Sequence, residues 1–169
     1  MNKIHNLSFL ITIGPFLALG LGSIISYIQS LFPKTNNYRY VFTSQFLLLT
    51  TAIVTYLYNN HITLFDGTLT LDFLSNIAHV FILAIAIAIS CLMRESWLKQ
   101  RFFTGENSSI YLMTILGMLI MTSSTDLLTI FLGLEITSIG FYCLISCINA
   151  NRSNYEGTMK LFIVGSYTS

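Results

Sequence analysis

The chain has 169 residues, of which 54% are apolar and only 9% are charged, compared with roughly 25% charged residues in ordinary soluble domains. A soluble protein of this length cannot bury so much apolar surface in one core and still cover itself with polar groups. The net charge of +1 and the mean hydropathy of +0.71 exclude a disordered protein, a basic nucleic-acid binder and a secreted disulfide scaffold. The composition predicts an integral membrane protein.

Charge-poor segments divide the chain into six predicted membrane spans of one membrane domain. Each of the first five is close to the ~20 residues that a helix needs to cross ~30 Å of hydrocarbon, whereas the sixth reaches only about 15 residues before Ser169, or ~22 Å. The prediction is an all-α polytopic membrane protein with five full transmembrane helices and a truncated sixth. The predicted spans cover residues 7–32, 40–58, 73–93, 108–123, 127–148 and 155–169.

The charges of the loops predict the orientation. Basic residues concentrate after the first, third and fifth spans, whereas the opposite side has only Lys3 and carries three aspartates. Because Lys and Arg are retained on the cytoplasmic or matrix side, we predict that the amino terminus lies on the outer side of the membrane, which in a mitochondrion is the intermembrane space. The inner basic residues are Lys34, Arg39, Arg94, Lys99, Arg101 and Arg152, with Lys160 just inside the sixth span.

Glu135 is the feature most suggestive of chemistry, because it is the one carboxylate inside the fifth predicted span. It lies nine residues beyond Asp126, about 13 Å deep and near the bilayer midplane. An ionisable group there is costly unless it faces the protein interior or water. Desolvation raises the pKa of a carboxyl group, whereas a neighbouring cation lowers it. A group subject to both effects changes protonation when the cation moves, and a proton relay requires such a change.

Hydroxyl groups follow Glu135 along one helix face. Ser138, Tyr142 and Ser146 lie three, seven and eleven residues after it, an arrangement that could hold hydrogen-bonded water and conduct protons toward the inner side. The alternative is that a neighbouring helix satisfies the glutamate and that the hydroxyls join helices. The sequence alone leaves both open.

Lys160 is the candidate partner of Glu135, and we predict that the two form a proton relay. A long lysine side chain would shorten the distance between them without closing it. Lysines near helix ends often extend toward the interface instead, and Glu156 lies four residues before Lys160, a favourable spacing for an ion pair within the helix. The sequence leaves the choice between Glu135 and Glu156 open.

The remaining candidates have simpler explanations. His79 is better explained as a polar residue near the outer interface than as a proton shuttle, and Asp126 suits a helix amino terminus. Cys143 and Cys147 are better explained as small core residues than as a metal pair. The sequence contains no phosphate-binding loop, haem motif or cysteine ligand set, so we predict that this chain binds no cofactor or metal and has no redox centre.

Several of these segments resemble a known family. Tyr111–Met118, Asp126–Leu128, Leu132–Glu135 and Met159–Phe162 together resemble the NADH dehydrogenase subunit 2 family, antiporter-like proton-pumping membrane subunits of respiratory complex I. The resemblance covers residues 105–169 clearly and the preceding span weakly. It implies that Glu135 is the glutamate of the fifth helix of a proton half-channel and that Lys160 is the lysine of its sixth helix.

The resemblance also implies the surroundings of the chain. Members of the family have about eleven to fourteen spans in two inverted five-helix repeats. We therefore expect either a subunit divided between two polypeptides, the second supplying the carboxy-terminal helices, or a fragment. The expected partners are other membrane-arm subunits and membrane lipid, with no nucleic acid. NADH, FMN, iron–sulfur clusters and ubiquinone would be bound by other subunits.

The composition bears on the location of the protein. The 22 Ile against 4 Val, with 13 Phe, 9 Tyr and 2 Pro, favour A/T-rich codons, as in organelle genomes. We predict an organelle-encoded, multi-pass protein of the mitochondrial inner membrane. The alternatives are a non-conducting structural or assembly subunit of the membrane and a subunit of a multi-protein cation/proton antiporter.

The predicted orientation can be tested from either side of the membrane. A protease applied on the inner side should cleave within the basic segment of residues 94–106, and the amino terminus should be protected from it, because basic loops stay on that side. The measurement is the pattern of cleavage in sealed vesicles of each orientation. The reverse pattern would overturn the topology.

Overall fold

The computed structural model describes residues 2–30, 48, 50, 51, 53, 62–99, 105–148 and 152–168. Nearly all of them are helical, and the second predicted span lies largely outside the described residues. Five helices are defined: α1 (Asn2–Ser30), α2 (Phe73–Lys99), α3 (Gly105–Ser123), α4 (Leu127–Ile148) and α5 (Arg152–Thr168).

The helices follow the apolar segments of the sequence but extend into the charged residues beside them. Helix α2 continues from Phe73 through Arg94 to Lys99, since charged residues end a membrane segment without breaking a helix. Helix α4 covers the same residues as the fifth predicted span. Within the described part of the chain, three helices are long and apolar enough to cross a membrane, over Ile13–Ser30, Phe73–Leu92 and Leu127–Cys147.

A small β-hairpin between the second and third predicted spans interrupts the all-helical architecture that the sequence predicted. Strands β1 (Ile62–Leu64) and β2 (Leu69–Leu71) pair antiparallel across a 3-10 turn at Phe65–Gly67. The alternation of Thr with Ile and Leu favours strands, and the Asp66-Gly67 pair is a strong hairpin signal. Gly67 has a φ of 94°, a conformation that favours glycine.

The hairpin is attached to the connection between α3 and α4. Leu69 forms a bridge with Ser124, and the backbone amide of Thr125 donates to the Thr68 carbonyl at 3.0 Å. The hydroxyl of Thr125 donates to the Gly67 carbonyl. These bonds fix the segment that leads into α4 and thereby help to position the start of that helix.

Helix α3 lies between α4 on one side and α1 and α2 on the other. Its face toward α1 and α2 belongs to a cluster of buried apolar side chains that forms the core of the described residues. The cluster consists of Leu19, Leu48, Leu83, Ala86, Leu112, Ile115 and Leu119. Leu48 belongs to the second predicted span, so at least that residue packs in the core.

The opposite face of α3 packs on α4 through glycines. A Cβ atom built on Gly133 would lie 3.0 Å from the carbonyl oxygen of Gly117 and 3.0 Å from the backbone nitrogen of Met121. One built on Gly117 would lie 2.9 Å from a methyl group of Ile136. Small residues allow helix backbones to approach closely in membranes, where dispersion contacts replace the hydrophobic effect between helices.

A third glycine continues this contact about two turns beyond Gly133 along α4. A Cβ atom on Gly140 would overlap the hydroxyl oxygen of Thr114, which itself donates to the Ile110 carbonyl at 2.8 Å. Gly133 and Gly140, seven residues apart and both buried, therefore define the face of α4 that contacts α3.

Replacing Gly133 with Ala should weaken the packing of α3 and α4, because the added methyl group meets backbone atoms that cannot rotate away. We expect a loss of about 1–3 kcal/mol in the free energy of unfolding, the usual range for overpacking. The measurement is the midpoint of denaturation of the purified protein in detergent.

The matched control is Gly157→Ala in α5, where a Cβ atom meets nothing within 4 Å. Because Ala favours a helix interior by roughly 0.5–1 kcal/mol over Gly, this variant should be neutral or slightly stabilised. Equal stability of the two variants would contradict the close glycine contact.

Candidate functional site

Glu135 is the only charged residue of α4 and lies nine residues into its 22 residues. The helix is about 33 Å long, so the carboxyl group lies about 12 Å from its start. The side chain is half-buried, with the apolar side chains of Leu134 and Ile136 as its chain neighbours. The structure thus places a carboxyl group in the middle of an apolar helix.

The packing of α4 on α3 decides the direction in which Glu135 points. At about 100° per residue, Glu135 is rotated by roughly 200° from Gly133, the centre of the face toward α3. Ser138, Tyr142 and Ser146 lie within about 60° of the same direction. The four polar side chains therefore share the face of α4 that is turned away from α3, and we call this face the Glu135 face.

Helix α5 covers part of the Glu135 face. The rings of Tyr142 and Phe162 meet edge to face with centroids 6.1 Å apart, a favourable geometry for aromatic pairs. The hydroxyl of Tyr142 lies against Gly165, where a Cβ atom would overlap it. Tyr142 is therefore held by α5, whereas Glu135 lies about two turns away from that contact.

The serine hydroxyls of the Glu135 face bond to their own helix. Ser138 donates to the carbonyls of Leu134 at 3.0 Å and of Glu135 at 3.1 Å, and Ser146 donates to the Cys143 carbonyl at 2.7 Å. Among the described residues, no side chain forms a hydrogen bond or ion pair with the Glu135 carboxyl group. The face is polar, but its groups do not form a continuous chain of direct hydrogen bonds.

Lys160 lies far from Glu135. Because α4 and α5 run antiparallel and Tyr142 lies opposite Phe162 and Gly165, Lys160 is about ten residues of helix from Glu135, or ~15 Å along the axis. It is exposed and lies on the face of α5 turned away from α4, roughly 160° from Phe162. Within the described residues Lys160 forms no ion pair, so neither expected partner, Glu135 or Glu156, is bound to it.

His79 is more deeply buried than the sequence suggested. Its side chain is 1% exposed, its Nε2 lies 3.1 Å from the Leu119 carbonyl oxygen, and its ring meets Phe16 edge to face at 5.9 Å. Leu119 is on the face of α3 toward α1 and α2, whereas the Glu135 face belongs to α4 and lies on the other side of α3. His79 thus joins two helices of the core and does not belong to the Glu135 site.

No metal site emerges from the described residues, which contain no group of three His, Cys, Asp or Glu side chains placed to hold an ion. Cys91, Cys143 and Cys147 are free thiols. The sequence analysis did not identify Gly140 and Gly165 as contact residues. Because these glycines have no side chains, α4 packs closely against α3 at Gly140 and against α5 at Gly165. Their signal was the spacing of small residues along α4 and α5.

A family model described as "NADH:quinone oxidoreductase/Mrp antiporter, TM" matches residues 124–169. This segment contains α4 and α5 complete and therefore both Glu135 and Lys160.

Longer similarities connect the chain with NADH-quinone oxidoreductase subunit N of several bacteria. The subunit of Bacillus anthracis is 32% identical over 169 residues, covering 98% of this chain and 33% of the relative. That of Hydrogenovibrio crunogenus is 27% identical over 161 residues, or 94% and 34%, and subunit N 2 of Koribacter versatilis is 37% identical over 110 residues, or 65% and 22%. The chain spans about a third of the length of the relatives that it matches most fully.

Substituting Gly165 tests whether Tyr142 holds α5 against α4. In Gly165→Ala the added methyl group overlaps the phenol oxygen, so we expect the stability of the protein to fall, by about 1–3 kcal/mol. Combining it with Tyr142→Phe should recover part of this loss, because the overlapping oxygen is gone. A double-mutant cycle of denaturation midpoints measures the coupling. Purely additive effects would show that Tyr142 and Gly165 do not touch.

Proposed function

Because this chain is homologous to the antiporter-like membrane subunit N of NADH-quinone oxidoreductase, we propose that it works in the membrane arm of a respiratory complex I. There it contributes part of a proton-translocation half-channel. The observation that carries the proposal is Glu135, a half-buried carboxyl group in the middle of an apolar helix. The complex would oxidise NADH and reduce a quinone, and we assign no redox step to this chain.

In this proposal Glu135 takes up a proton and later releases it. An ionised carboxylate that no side chain satisfies is unfavourable in a low-dielectric region, so the group depends on water or a moving partner for its charged state. The direction of the Glu135 face, away from α3, leaves one side of the carboxyl group open to such a partner. This open side favours a role for Glu135 in proton exchange over a role in a permanent ion pair.

Ser138, Tyr142 and Ser146 have a supporting role in the proposal. The hydroxyl oxygens of Ser138 and Ser146 retain acceptor capacity while they donate to backbone carbonyls. Water between these two groups and the Tyr142 hydroxyl would complete a path along α4. Lys160 acts from a distance in this scheme, because ~15 Å of helix separates it from Glu135. Its charge would influence Glu135 through intervening water or a shift of α5, without direct contact.

The remainder of the half-channel would come from sequence corresponding to the other two thirds of the relatives. The complex itself would contain the other membrane-arm subunits as partners. On composition alone we also propose the mitochondrial inner membrane as its location. From the charge-poor segments and the charges of the loops we propose five full spans, a sixth that begins near residue 155, and an outer amino terminus. The relatives named above are bacterial.

A second candidate is a subunit of a multi-protein cation/proton antiporter, because the matched family model includes antiporters in its description. The same Glu135 would then exchange protons against a metal cation. Proton movement driven by NADH oxidation distinguishes complex I from this candidate, whose proton movement would instead follow a cation gradient.

The relay role of Glu135 can be tested by a substitution that removes its capacity to exchange a proton and keeps the shape of the side chain. Glu135→Gln retains the size and hydrogen-bonding capacity of the side chain but cannot titrate, so we expect the complex to assemble and proton pumping to fall. Glu135→Asp keeps the carboxyl group on a shorter chain and should give an intermediate result. Protons moved per NADH oxidised, in vesicles containing the assembled complex, are the measurement.

Two further variants serve as controls. Glu156→Gln changes an exposed carboxylate in the same way as Glu135→Gln and should leave pumping intact. Lys160→Met should reduce pumping only if the charge of Lys160 acts on the site. Normal pumping by a fully assembled Glu135→Gln variant would refute the relay and favour a structural, non-conducting subunit.

A further inference from the structure

Polar side chains follow the buried face of α2 at the end where that helix begins. Asp72 immediately precedes α2, and Ser75, Asn76 and His79 come three, four and seven residues after it. At about 100° per residue, all three lie within about 60° of the direction of Asp72. The side chains of these three residues are buried, and together with Asp72 we call them the polar stripe.

The polar stripe stops at His79. The next residues on the same face of α2 are Leu83 and Ala86, which belong to the buried apolar core. The stripe therefore extends ~10 Å from the start of α2 to His79, and the core closes the path beyond it. We call the side of the membrane on which α2 begins and the hairpin lies the hairpin side. Among the described residues, this side alone offers a polar route to His79.

The contact of His79 with α3 defines the state of its ring. Nε2 lies 3.1 Å from the Leu119 carbonyl oxygen, which can only accept, so Nε2 carries a hydrogen and donates it. In the neutral ring Nδ1 then has no hydrogen and is the nitrogen that can bind a further proton. We call the bond to Leu119 the His79 latch, because it joins α2 to α3 near the end of that helix.

The Leu119 carbonyl does not depend on His79 for a partner. The hydroxyl groups of Ser123 and Thr122 also donate to its oxygen, at 2.9 Å and 3.1 Å. A carbonyl oxygen has two lone pairs, so these donors compete with His79. The latch can therefore open without leaving a buried carbonyl unsatisfied, which is the main cost of breaking a buried hydrogen bond.

Among the described residues, no counter-ion for a charged His79 lies beside its ring. Phe16 of α1 meets the ring edge to face at 5.9 Å, and neither β2 nor the described residues of the second predicted span have a titratable side chain. The nearest titratable residues of the neighbouring helices lie ~10 Å away or more along the helix axes. These are Asp72 before α2, Tyr111 on α3, and His5 and Tyr27 on α1.

The remaining acidic groups of this region lie nearer to water. Asp66 is in the turn of the hairpin and Asp126 immediately precedes α4, both on the hairpin side. An imidazolium ion beside Leu119 is therefore unfavourable, since a buried charge needs a partner. The oxygen atoms that could stabilise the charge belong to the polar stripe and to the hairpin side beyond it.

We propose that His79 is a proton-binding site open to the hairpin side and that proton uptake opens the His79 latch. The proton comes from water on that side and adds to Nδ1. The charged ring then turns along the polar stripe toward Asn76 and Asp72, whose oxygen atoms accept its N–H groups. The site lies on the opposite side of α3 from Glu135 and does not depend on the function proposed above.

Opening of the latch should loosen the connection between α3 and α4. Ser124 follows α3 directly and pairs with Leu69 of the hairpin, so α2 holds the end of α3 through His79 and the hairpin holds it through Ser124. Without the first of these contacts, the backbone amides near the end of α3 should open to solvent more often. Amide hydrogen exchange reports such local opening.

The test uses the complete complex that contains this chain, in sealed vesicles whose inner and outer pH are set separately. Hydrogen exchange of residues 118–126 is measured by mass spectrometry from about pH 5 to pH 8, the range in which histidines titrate. Acidification on the hairpin side should lower the protection of these amides by up to about tenfold per pH unit, because one proton is bound. Acidification on the opposite side should leave their protection unchanged.

His79→Gln provides the reference at each pH. Its amide N–H still donates to the Leu119 carbonyl but cannot titrate, and comparison at equal pH removes the intrinsic pH dependence of amide exchange. We expect this variant to keep the protection of residues 118–126 at every pH. Asn76→Leu removes an acceptor of the charged ring and should weaken the response. Asn107→Leu is its matched control, because Asn107 lies twelve residues before Leu119 on α3, and it should retain the response.

Three results would overturn the proposal. The same pH dependence in the unmodified complex and in His79→Gln would show that the response comes from another group. A response to acidification on the opposite side would show that the proton does not arrive along the polar stripe. If His79→Gln does not assemble, Asn76→Leu and Asn107→Leu decide the question, and equal responses of these two variants would contradict the proposal.

Discussion

The close approach of α3 and α4 at Gly117 and Gly133 is the contact on which the rest of the described structure depends. Between helices in lipid there is no hydrophobic driving force, so association relies on tight packing of surfaces that lack bulky side chains. Once these two glycines meet, the rotation of α4 about its axis is fixed. The direction of Glu135, and of every hydroxyl on its face, follows from that rotation.

The fixed rotation gives α4 three different environments. Gly133 and Gly140 lie against α3, Tyr142 lies against Phe162 and Gly165 of α5, and Glu135 lies on the same face as Tyr142 but beyond the contact with α5. Tight packing on one side and an open side on the other are the conditions under which a membrane carboxyl group reaches water. In the proposed function, this difference between the two sides of α4 lets Glu135 exchange protons while α4 keeps its contacts with α3 and α5.

The hydroxyl groups of α4 illustrate how polar residues are accommodated in an apolar helix. Ser138 and Ser146 donate to carbonyls of their own helix, a local bond that serines and threonines in membrane helices often form. Such bonds satisfy the donors without a partner helix, but they connect no residue to Glu135. Proton movement along this face would therefore depend on water, as the proposed function assumes.

The sequence by itself determined that this is a membrane protein, where its apolar helices lie and that Glu135 is the unusual residue among them. Hydropathy, helix length and an isolated charge are local properties, and the bounds of α4 could be predicted from them. The hairpin could also have been predicted, because Asp66-Gly67 between alternating residues is a local signal.

The tertiary structure alone decided which way the helices face. Membrane helices are apolar all round, so their sequences lack the one-sided pattern that marks the inner face of a soluble helix. Contacts across helices therefore determined that Glu135 points away from α3, that Lys160 lies on the far side of α5 and that His79 joins the core at Leu119. Each depends on which small residues of two distant segments meet, and no single segment of the sequence contains that information.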